Sequence, residues 1–211
     1  MSKLPGWSEV ETRFAESPRL GVAAVCQRAA VRLSPVIAIA ETGYGPEAVE
    51  WLNAVTGVLQ LLEPVCRGVP LSRFTLDIAA EVARGTANSA RILVREKGPS
   101  KAAEDAELAF AAAAFAVDVC RATTSARVAS VGMQCLRIAL DSGAVPEQLV
   151  AFDFQLLRSL AASGHTDWTV AADGPFGELW PFGEPDWVTA GLARLRELEP
   201  ALPTLLRLPS W

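Results

Sequence analysis

The strongest constraint on the fold of this chain is the way Gly and Pro divide its long Ala- and Leu-rich stretches. Gly/Pro groups occur at residues 43–46, 68–70, 98–99 and 143–146. Gly is favoured just past the end of a helix, and Pro is favoured at the first position of the next helix. Sequence patterns typical of strands are nearly absent. The chain therefore reads as a series of helices joined by short loops.

Seven helical stretches are predicted between these breaks. They cover residues 8–16, 18–41, 46–67, 71–97, 100–142, 146–162 and 187–198. The stretch 100–142 is expected to be two helices or one bent helix, because Thr123, Thr124 and Ser125 interrupt its apolar pattern. Short loops favour antiparallel neighbours. We expect an all-α bundle or short array of about seven antiparallel helices, with a Trp/Gly/Pro-rich loop segment towards the C-terminus.

Three of these helices have patterns that predict their surroundings. The stretch 46–67 is apolar on two faces, which indicates burial on most sides. The Ala-rich stretch 102–119 is expected at the centre of the bundle, because small side chains let neighbouring helices approach closely. The stretch 71–97 is expected at the surface, since large apolar residues form one side of it and arginines another. Its apolar side carries Phe74, Ile78, Val82 and Ile92, and its polar side carries Arg73, Arg84, Arg91 and Arg95.

The sequence also predicts the cellular compartment and the domain organisation. The apolar run at residues 108–117 spans ten positions, whereas a membrane span needs about 20. No secretory signal is evident at the start of the chain, and the four cysteines are expected to be buried thiols. We therefore expect a cytoplasmic protein that does not bind membranes. Residues 1–163 are assigned to a helical domain, and residues 164–211 to an acidic Trp-rich loop, a short helix and a Pro-containing tail packed on that domain.

The stretch GHTDWTVAADGPFGELWPFGEPDW, residues 164–187, differs from the rest of the chain, and we call it the Trp-rich segment. It holds three of the six tryptophans, the only histidine and two copies of PFGE. No Lys or Arg lies between Arg158 and Arg194. The segment carries five acids, which equal the net charge of −5 and leave 19 acids against 19 bases elsewhere.

Two readings of the Trp-rich segment stay open from the sequence. Its tryptophans could pack back onto the helical body, or the segment could form a surface that binds another protein. Trp is enriched at binding hot spots, and unbalanced acids steer a basic partner. Nucleic acid is not expected as a ligand, because binding phosphates requires Lys and Arg. The residues predicted to contact a partner are Trp168, Phe176, Glu178, Trp180, Phe182, Glu184, Asp186 and Trp187.

Catalytic patterns are sparse. Arg158 and His165 form R-x6-H, which resembles the R-x4-6-H motif of the all-helical HEPN ribonucleases. This resemblance implies an alternative function as a ribonuclease or toxin, with both residues acting on RNA. Asp77 and Asp118 lie in apolar helical stretches, and structural ion pairs with nearby arginines are the favoured interpretation. No metal cluster, phosphate-binding loop or cofactor motif is recognised, so neither a metal nor a cofactor is expected.

The part of the sequence predicted to be helical also resembles a group of uncharacterised Ala-rich bacterial proteins related to predicted Imm5-type immunity proteins. The resemblance lies in CQRAA at residues 26–30, LSP at 33–35 and PEAVE at 46–50. The stretch FGELWP at 176–181, followed by GEP at 183–185, is similar to an FGxLWPxGxP signature of paralogous bacterial families. The resemblance implies an all-α, protein-binding chain without catalytic residues. We therefore expect a non-enzymatic immunity or regulatory factor of a bacterial conflict or defence system.

Overall fold

The computed structural model describes residues 3–44, 46–98 and 101–198, and within these ranges it contains eight α-helices and no strand. The helices are α1 (Trp7–Glu16), α2 (Arg19–Tyr44), α3 (Pro46–Cys66), α4 (Arg73–Lys97), α5 (Lys101–Arg121), α6 (Ser125–Asp141), α7 (Glu147–Ala162) and α8 (Asp186–Leu198). The all-α prediction is confirmed. The Pro-containing tail predicted beyond α8 lies outside the described residues.

The eighth helix arises because the predicted stretch 100–142 divides in two. Helix α5 ends at Arg121, and α6 begins at Ser125. The Thr124 hydroxyl accepts a hydrogen bond of 3.3 Å from the backbone N–H of Arg127, as an N-cap residue does. The polar residues that interrupt the apolar pattern therefore start a new helix.

Helices α2 and α5 form the centre of the fold. Helix α2 packs against α3, α5, α6, α7 and α8, and α5 packs against α2, α3, α4 and α6. The inward-facing alanines of α5 are almost fully buried: Ala106, Ala109, Ala112, Ala113 and Ala116. The predicted central position of the Ala-rich helix is confirmed, and its small side chains explain how four helices can approach it.

Helix α4 lies at the surface as predicted, with its small residues facing inwards. Its buried side is formed by Leu76, Ala79, Ala80, Ala83, Ala87 and Ala90. The larger side chains Phe74, Ile78, Val82 and Ile92 are exposed. Since α4 packs mainly on the Ala-rich α5, close approach of the two helices favours alanine at their contact. We call these four exposed residues the α4 outer face.

Part of α2, Arg19–Ile37, is long and apolar enough by length and composition to be a candidate membrane span. Most of that window, 89%, is buried inside the protein. Burial by the surrounding helices is typical of the core helix of a soluble protein. The sequence pattern points to residues 108–117 as the longest apolar run, whereas among the described residues it is this part of α2 that is long and apolar enough.

The four cysteines are buried free thiols, as predicted. Burial raises the pKa of the Cys120 thiol from 9.0 to about 12, against the smaller opposing effect of the Arg19 charge. Burial also raises the pKa of Cys26 and of Cys66 well above its usual range. These thiols therefore stay protonated in the folded protein at neutral and mildly alkaline pH.

This burial predicts a pH dependence of stability. Between about 9 and about 12 the unfolded chain ionises Cys120 while the folded chain keeps the proton, so the free energy of unfolding falls as pH rises. We expect Cys120→Ala to lose less stability than the wild type between pH 8 and pH 10.5. Guanidinium unfolding midpoints of both proteins at the two pH values check this. Equal losses in the two proteins would contradict the prediction.

Candidate functional site

Two arginines and one aspartate form a fully buried ionic cluster, which we call the Arg28–Asp153–Arg32 cluster. Arg28 and Arg32 lie one turn apart on the same face of α2, and Asp153 lies on α7. The Nε of Arg28 donates to Oδ1 of Asp153 at 3.1 Å. The Nη1 of Arg32 donates to Oδ2 at 2.5 Å, and its Nη2 donates to Oδ1 at 3.1 Å. Both carboxylate oxygens are thereby satisfied.

The remaining arginine donors reach the backbone of the Trp-rich segment. Arg28 donates from Nη1 to the carbonyl of Gly177 at 2.9 Å and from Nη2 to that of Glu178 at 2.7 Å. Arg32 donates from Nε to the carbonyl of Leu179 at 3.0 Å. Three consecutive carbonyl groups are therefore fixed by two side chains of the central helix.

Aromatic rings of the segment cover the same arginines. The guanidinium carbon of Arg28 lies 5.6 Å from the centre of the Phe176 ring, and that of Arg32 lies 5.9 Å from the Trp180 ring. Cations attract the negative face of such rings within about 6 Å. Because one carboxylate compensates only one of two positive charges, carbonyl dipoles and ring faces supply the remaining stabilisation.

Burial of the cluster has an electrostatic cost. Removal from water lowers the pKa of the Arg28 guanidinium, and the nearby Asp153 carboxylate opposes this effect. The arginine stays charged, since an unperturbed guanidinium releases its proton only far above neutral pH. A buried charge with these partners is tolerated only while every partner stays in place.

Trp168 attaches the beginning of the segment to the body. Its ring is buried against α2, where a Cβ on Gly21 would lie 2.8 Å from it. Its backbone N–H donates to the carbonyl of Cys66 at 3.1 Å, and the next hydroxyl, Thr169 Oγ1, accepts from Arg67 Nε at 3.2 Å. Only glycine at position 21 leaves room for the indole, so helix and segment are matched in shape.

Helix α8 returns the chain to α2 after the segment. Gly191 lies so close to the backbone of Pro35 that an added Cβ would be 2.6 Å from the Pro35 carbonyl oxygen. Contact with the body is therefore tight both before and after the clamped carbonyls of residues 177–179. On the side that faces α2, the segment therefore packs onto the helical body, which is the first of the two alternatives left open by the sequence.

The outer side of the segment carries aromatic and acidic groups. Phe182 is 64% exposed, and its ring lies edge-on to Phe152 of α7 with centres 5.5 Å apart. Trp180 and Trp187 are half-buried and form an edge-on pair with centres 6.1 Å apart. The acids at 167, 173, 178, 184 and 186 are all exposed. Within the described part of the chain, none of these five acids forms an ion pair.

The eight predicted contact residues therefore separate into three groups. Trp168 and Phe176 are 2% and 1% exposed, so they belong to the core, and their prediction as contact residues is corrected on this ground. Trp180 and Trp187 are half-buried, so only part of each ring is accessible to a partner. Four residues are exposed, and we call them the acidic face: Glu178, Phe182, Glu184 and Asp186.

The two residues of the R-x6-H pattern, Arg158 and His165, lie in different surroundings. Arg158 is exposed on α7 and lines a shallow groove together with Arg13, Glu16 and Gln155. His165 follows the end of α7, does not line that groove, and packs its ring edge-on against Trp168 at 5.9 Å. Its backbone N–H donates to the carbonyl of Leu160. The histidine thus takes part in ending the helix and in packing the indole.

Asp77 and Asp118 form the ion pairs predicted for them. Arg121 contacts Asp77 at 2.5 Å and Asp118 at 2.7 Å, and Arg84 contacts Asp118 at 2.5 Å. Another arginine of α4, Arg91, pairs with Glu107. No group of three or more His, Cys, Asp or Glu able to hold a metal occurs among the described residues.

The sequence interpretation missed the Arg28–Asp153–Arg32 cluster. A signal for it exists, because Arg28 and Arg32 stand four residues apart in an otherwise apolar helix and Asp153 interrupts the apolar start of α7. The argument that assigned partners to Asp77 and Asp118 applies equally to Asp153. No sequence pattern indicates the third partner of the cluster, because any backbone carbonyl group could accept these hydrogen bonds, and those of residues 177–179 do so only through the fold.

Comparison of the chain with protein-family models, with curated proteins and with solved structures finds no match. The interpretation of the site therefore depends on its own geometry.

Replacing Asp153 tests the energetic weight of the cluster. Asp153→Asn removes the charge that compensates two buried arginines, so we expect a loss of about 3–5 kcal/mol in the free energy of unfolding. Asp118→Asn is the matched control, because Asp118 also lies between two arginines, but these partners, Arg84 and Arg121, are 47% and 27% exposed, and we expect a smaller loss of about 1 kcal/mol. Urea unfolding followed by circular dichroism measures both losses. Similar losses for the two variants would contradict the assignment.

Proposed function

We propose that this protein acts by binding another protein that has a basic surface, and that the acidic face is the contact site. The observation that carries this proposal is the fixation of the segment by the buried arginines. Its inner carbonyls are held by Arg28 and Arg32 while Phe182 stays 64% exposed. An exposed aromatic ring on a fixed backbone is typical of a binding hot spot.

Preorganisation supports binding through this segment. A free loop loses conformational entropy when it binds, at about 0.5–1.5 kcal/mol for each immobilised side chain. Trp168, Phe176 and the clamped carbonyls order this segment before any partner arrives. The acidic face is therefore presented in a single arrangement.

Electrostatics indicates the kind of partner. Glu178, Glu184 and Asp186 surround Phe182 along the chain and lack basic partners within the described residues. Unbalanced acids raise the association rate with a positively charged surface, and added salt weakens that effect. A basic protein surface with an apolar pocket would match both the charges and the exposed ring.

A role in binding fits the expectation of an immunity or regulatory factor. The only histidine of the chain serves packing next to Trp168, which favours binding over a catalytic use of that residue. We propose a cytoplasmic, non-enzymatic factor of a bacterial conflict or defence system, and its support is the resemblance noted in the sequence together with the acidic face.

Affinity capture with defined variants tests the proposal. Immobilised wild-type protein, incubated with lysate of the source organism, is expected to retain a basic protein that is released as salt rises from 50 mM to 500 mM. Phe182→Ala and Glu184→Lys should each lower its recovery about tenfold or more, because they remove the hot-spot ring and reverse a steering charge.

Val69→Ala is the matched control, since Val69 is 51% exposed and lies outside the segment. Its recovery of the same protein is expected to equal that of the wild type. All variants must show wild-type circular dichroism. Undiminished recovery with folded Phe182→Ala and Glu184→Lys would overturn the proposal.

A further inference from the structure

The two PFGE copies of the Trp-rich segment have the same local structure. The first copy covers residues 175–178, and the second covers residues 181–184. In both copies Pro and Phe form the middle of a turn, and the Gly N–H donates at 3.0 Å to the carbonyl three residues before it. The φ angle is +64° at Gly177 and +97° at Gly183, a region that favours glycine. The sequence repeat is therefore also a repeat of one turn.

The first copy binds an arginine of the same chain. The guanidinium of Arg28 donates to the carbonyl of Gly177 at 2.9 Å and to that of Glu178 at 2.7 Å. Its central carbon lies 5.6 Å from the centre of the Phe176 ring, and its Nε pairs with the Asp153 carboxylate. One PFGE copy thus supplies a ring and two carbonyl acceptors for a guanidinium, and a carboxylate beside it supplies the opposite charge.

The Phe rings of the two copies are packed alike but differ in exposure. The ring of Phe176 contacts Trp168 with centres 6.3 Å apart. The ring of Phe182 contacts Phe152 with centres 5.5 Å apart. Phe176 is 1% exposed, whereas Phe182 is 64% exposed, and none of the described arginines lies over the Phe182 ring. Most of the second ring is therefore accessible to a partner.

The polar groups of the second copy are also accessible. Within the described part of the chain, the carbonyl groups of Gly183 and Glu184 accept no hydrogen bond. The carboxylates of Glu184 and Asp186 are exposed and form no ion pair with described residues. Thr189 donates to Oε1 of Glu184 at 2.8 Å, which leaves Oε2 for a partner. The second copy thus presents outwards the same groups that hold Arg28 in the first.

We infer, on the basis of the proposed function, that the second PFGE copy binds an arginine side chain of the partner protein. The guanidinium donates to the carbonyls of Gly183 and Glu184 and packs on the Phe182 ring. Arginine suits this arrangement because its planar guanidinium offers a fork of donors and stacks on aromatic faces, whereas the lysine ammonium is a point charge. The carboxylates of Glu184 and Asp186 supply the negative charge that Asp153 supplies in the first copy.

Binding of short peptides tests this inference without knowledge of the partner. The probes are acetyl-Gly-Arg-Gly-amide and acetyl-Gly-Lys-Gly-amide, which carry the same charge, each added up to about 20 mM to ¹⁵N-labelled protein. The arginine peptide is expected to shift the amide resonances of Glu184 and Asp186 with a dissociation constant of about 1–10 mM. The Glu184 amide belongs to the same peptide group as the Gly183 carbonyl, so it reports on that acceptor. The lysine peptide should bind about threefold or more weakly.

Phe182→Leu tests the contribution of the ring. Leucine keeps an apolar side chain but has no aromatic face, so the affinity for the arginine peptide is expected to fall about threefold. Phe74→Leu is the matched control, because Phe74 is 73% exposed on α4, outside the Trp-rich segment. Its affinity for the arginine peptide should equal that of the wild type. Wild-type dispersion of the remaining amide resonances shows that both variants are folded.

Three results would overturn the inference. One is the absence of shifts at Glu184 and Asp186 with the arginine peptide at about 20 mM. Another is equal affinity for the arginine and lysine peptides, since the acidic face then attracts positive charge without selecting a guanidinium. The third is unchanged arginine binding in folded Phe182→Leu. The proposed function depends on a separate readout, the capture of a basic protein from lysate. Capture that requires Phe182 and Glu184, together with equal binding of the two peptides, would uphold the proposed function and reject only the arginine site.

Discussion

The placement of the Trp-rich segment depends on one buried carboxylate shared between two arginines. Asp153 of α7 orients Arg28 and Arg32 of α2, and the remaining guanidinium donors hold the carbonyls of residues 177–179. A buried ion pair seldom adds stability beyond that of a well-packed apolar core. In the observed position of the segment, each guanidinium nitrogen of Arg28 and Arg32 has an acceptor, so a displaced segment would leave buried donors unpaired. A loop rich in Gly and Pro would otherwise have many accessible arrangements.

A second constraint comes from alanine. The centre of the fold is formed by the small side chains of α5, and α4 turns its own alanines towards them. Close helix packing thereby takes up the small side of α4 and leaves its large apolar side facing outwards. The exposed apolar side of α4 is thus a consequence of the core packing.

Much of the helical architecture could be predicted from the sequence, whereas the site could be predicted only in part. Gly and Pro mark helix ends through local backbone chemistry, so the breaks near residues 68 and 143 can be predicted from a few neighbouring residues. The start of α6 at Ser125 is likewise local, because it depends on the polar residues just before it. The inward direction of Trp168 and Phe176 depends on partners more than 100 residues away, such as Gly21 and Arg28. Composition distinguishes an unusual segment, but it does not tell which of its rings face the core. The direction of the α4 outer face could not be predicted for a related reason. Apolar periodicity identifies a side of the helix, but it does not reveal whether α5 has room for large side chains.

Hydrogen exchange in the Trp-rich segment tests most directly whether the buried arginines hold it in place. The amide of Gly177 donates to Gly174 and that of Gly183 donates to Trp180, so both report on the local fold. In Arg32→Met the Arg28–Asp153 pair remains, while the contacts to Leu179 and Trp180 are lost. The account predicts that exchange at these two amides accelerates about tenfold or more while α5 amides keep their wild-type rates. Unchanged exchange in the segment, or an equal acceleration throughout the protein, would contradict it.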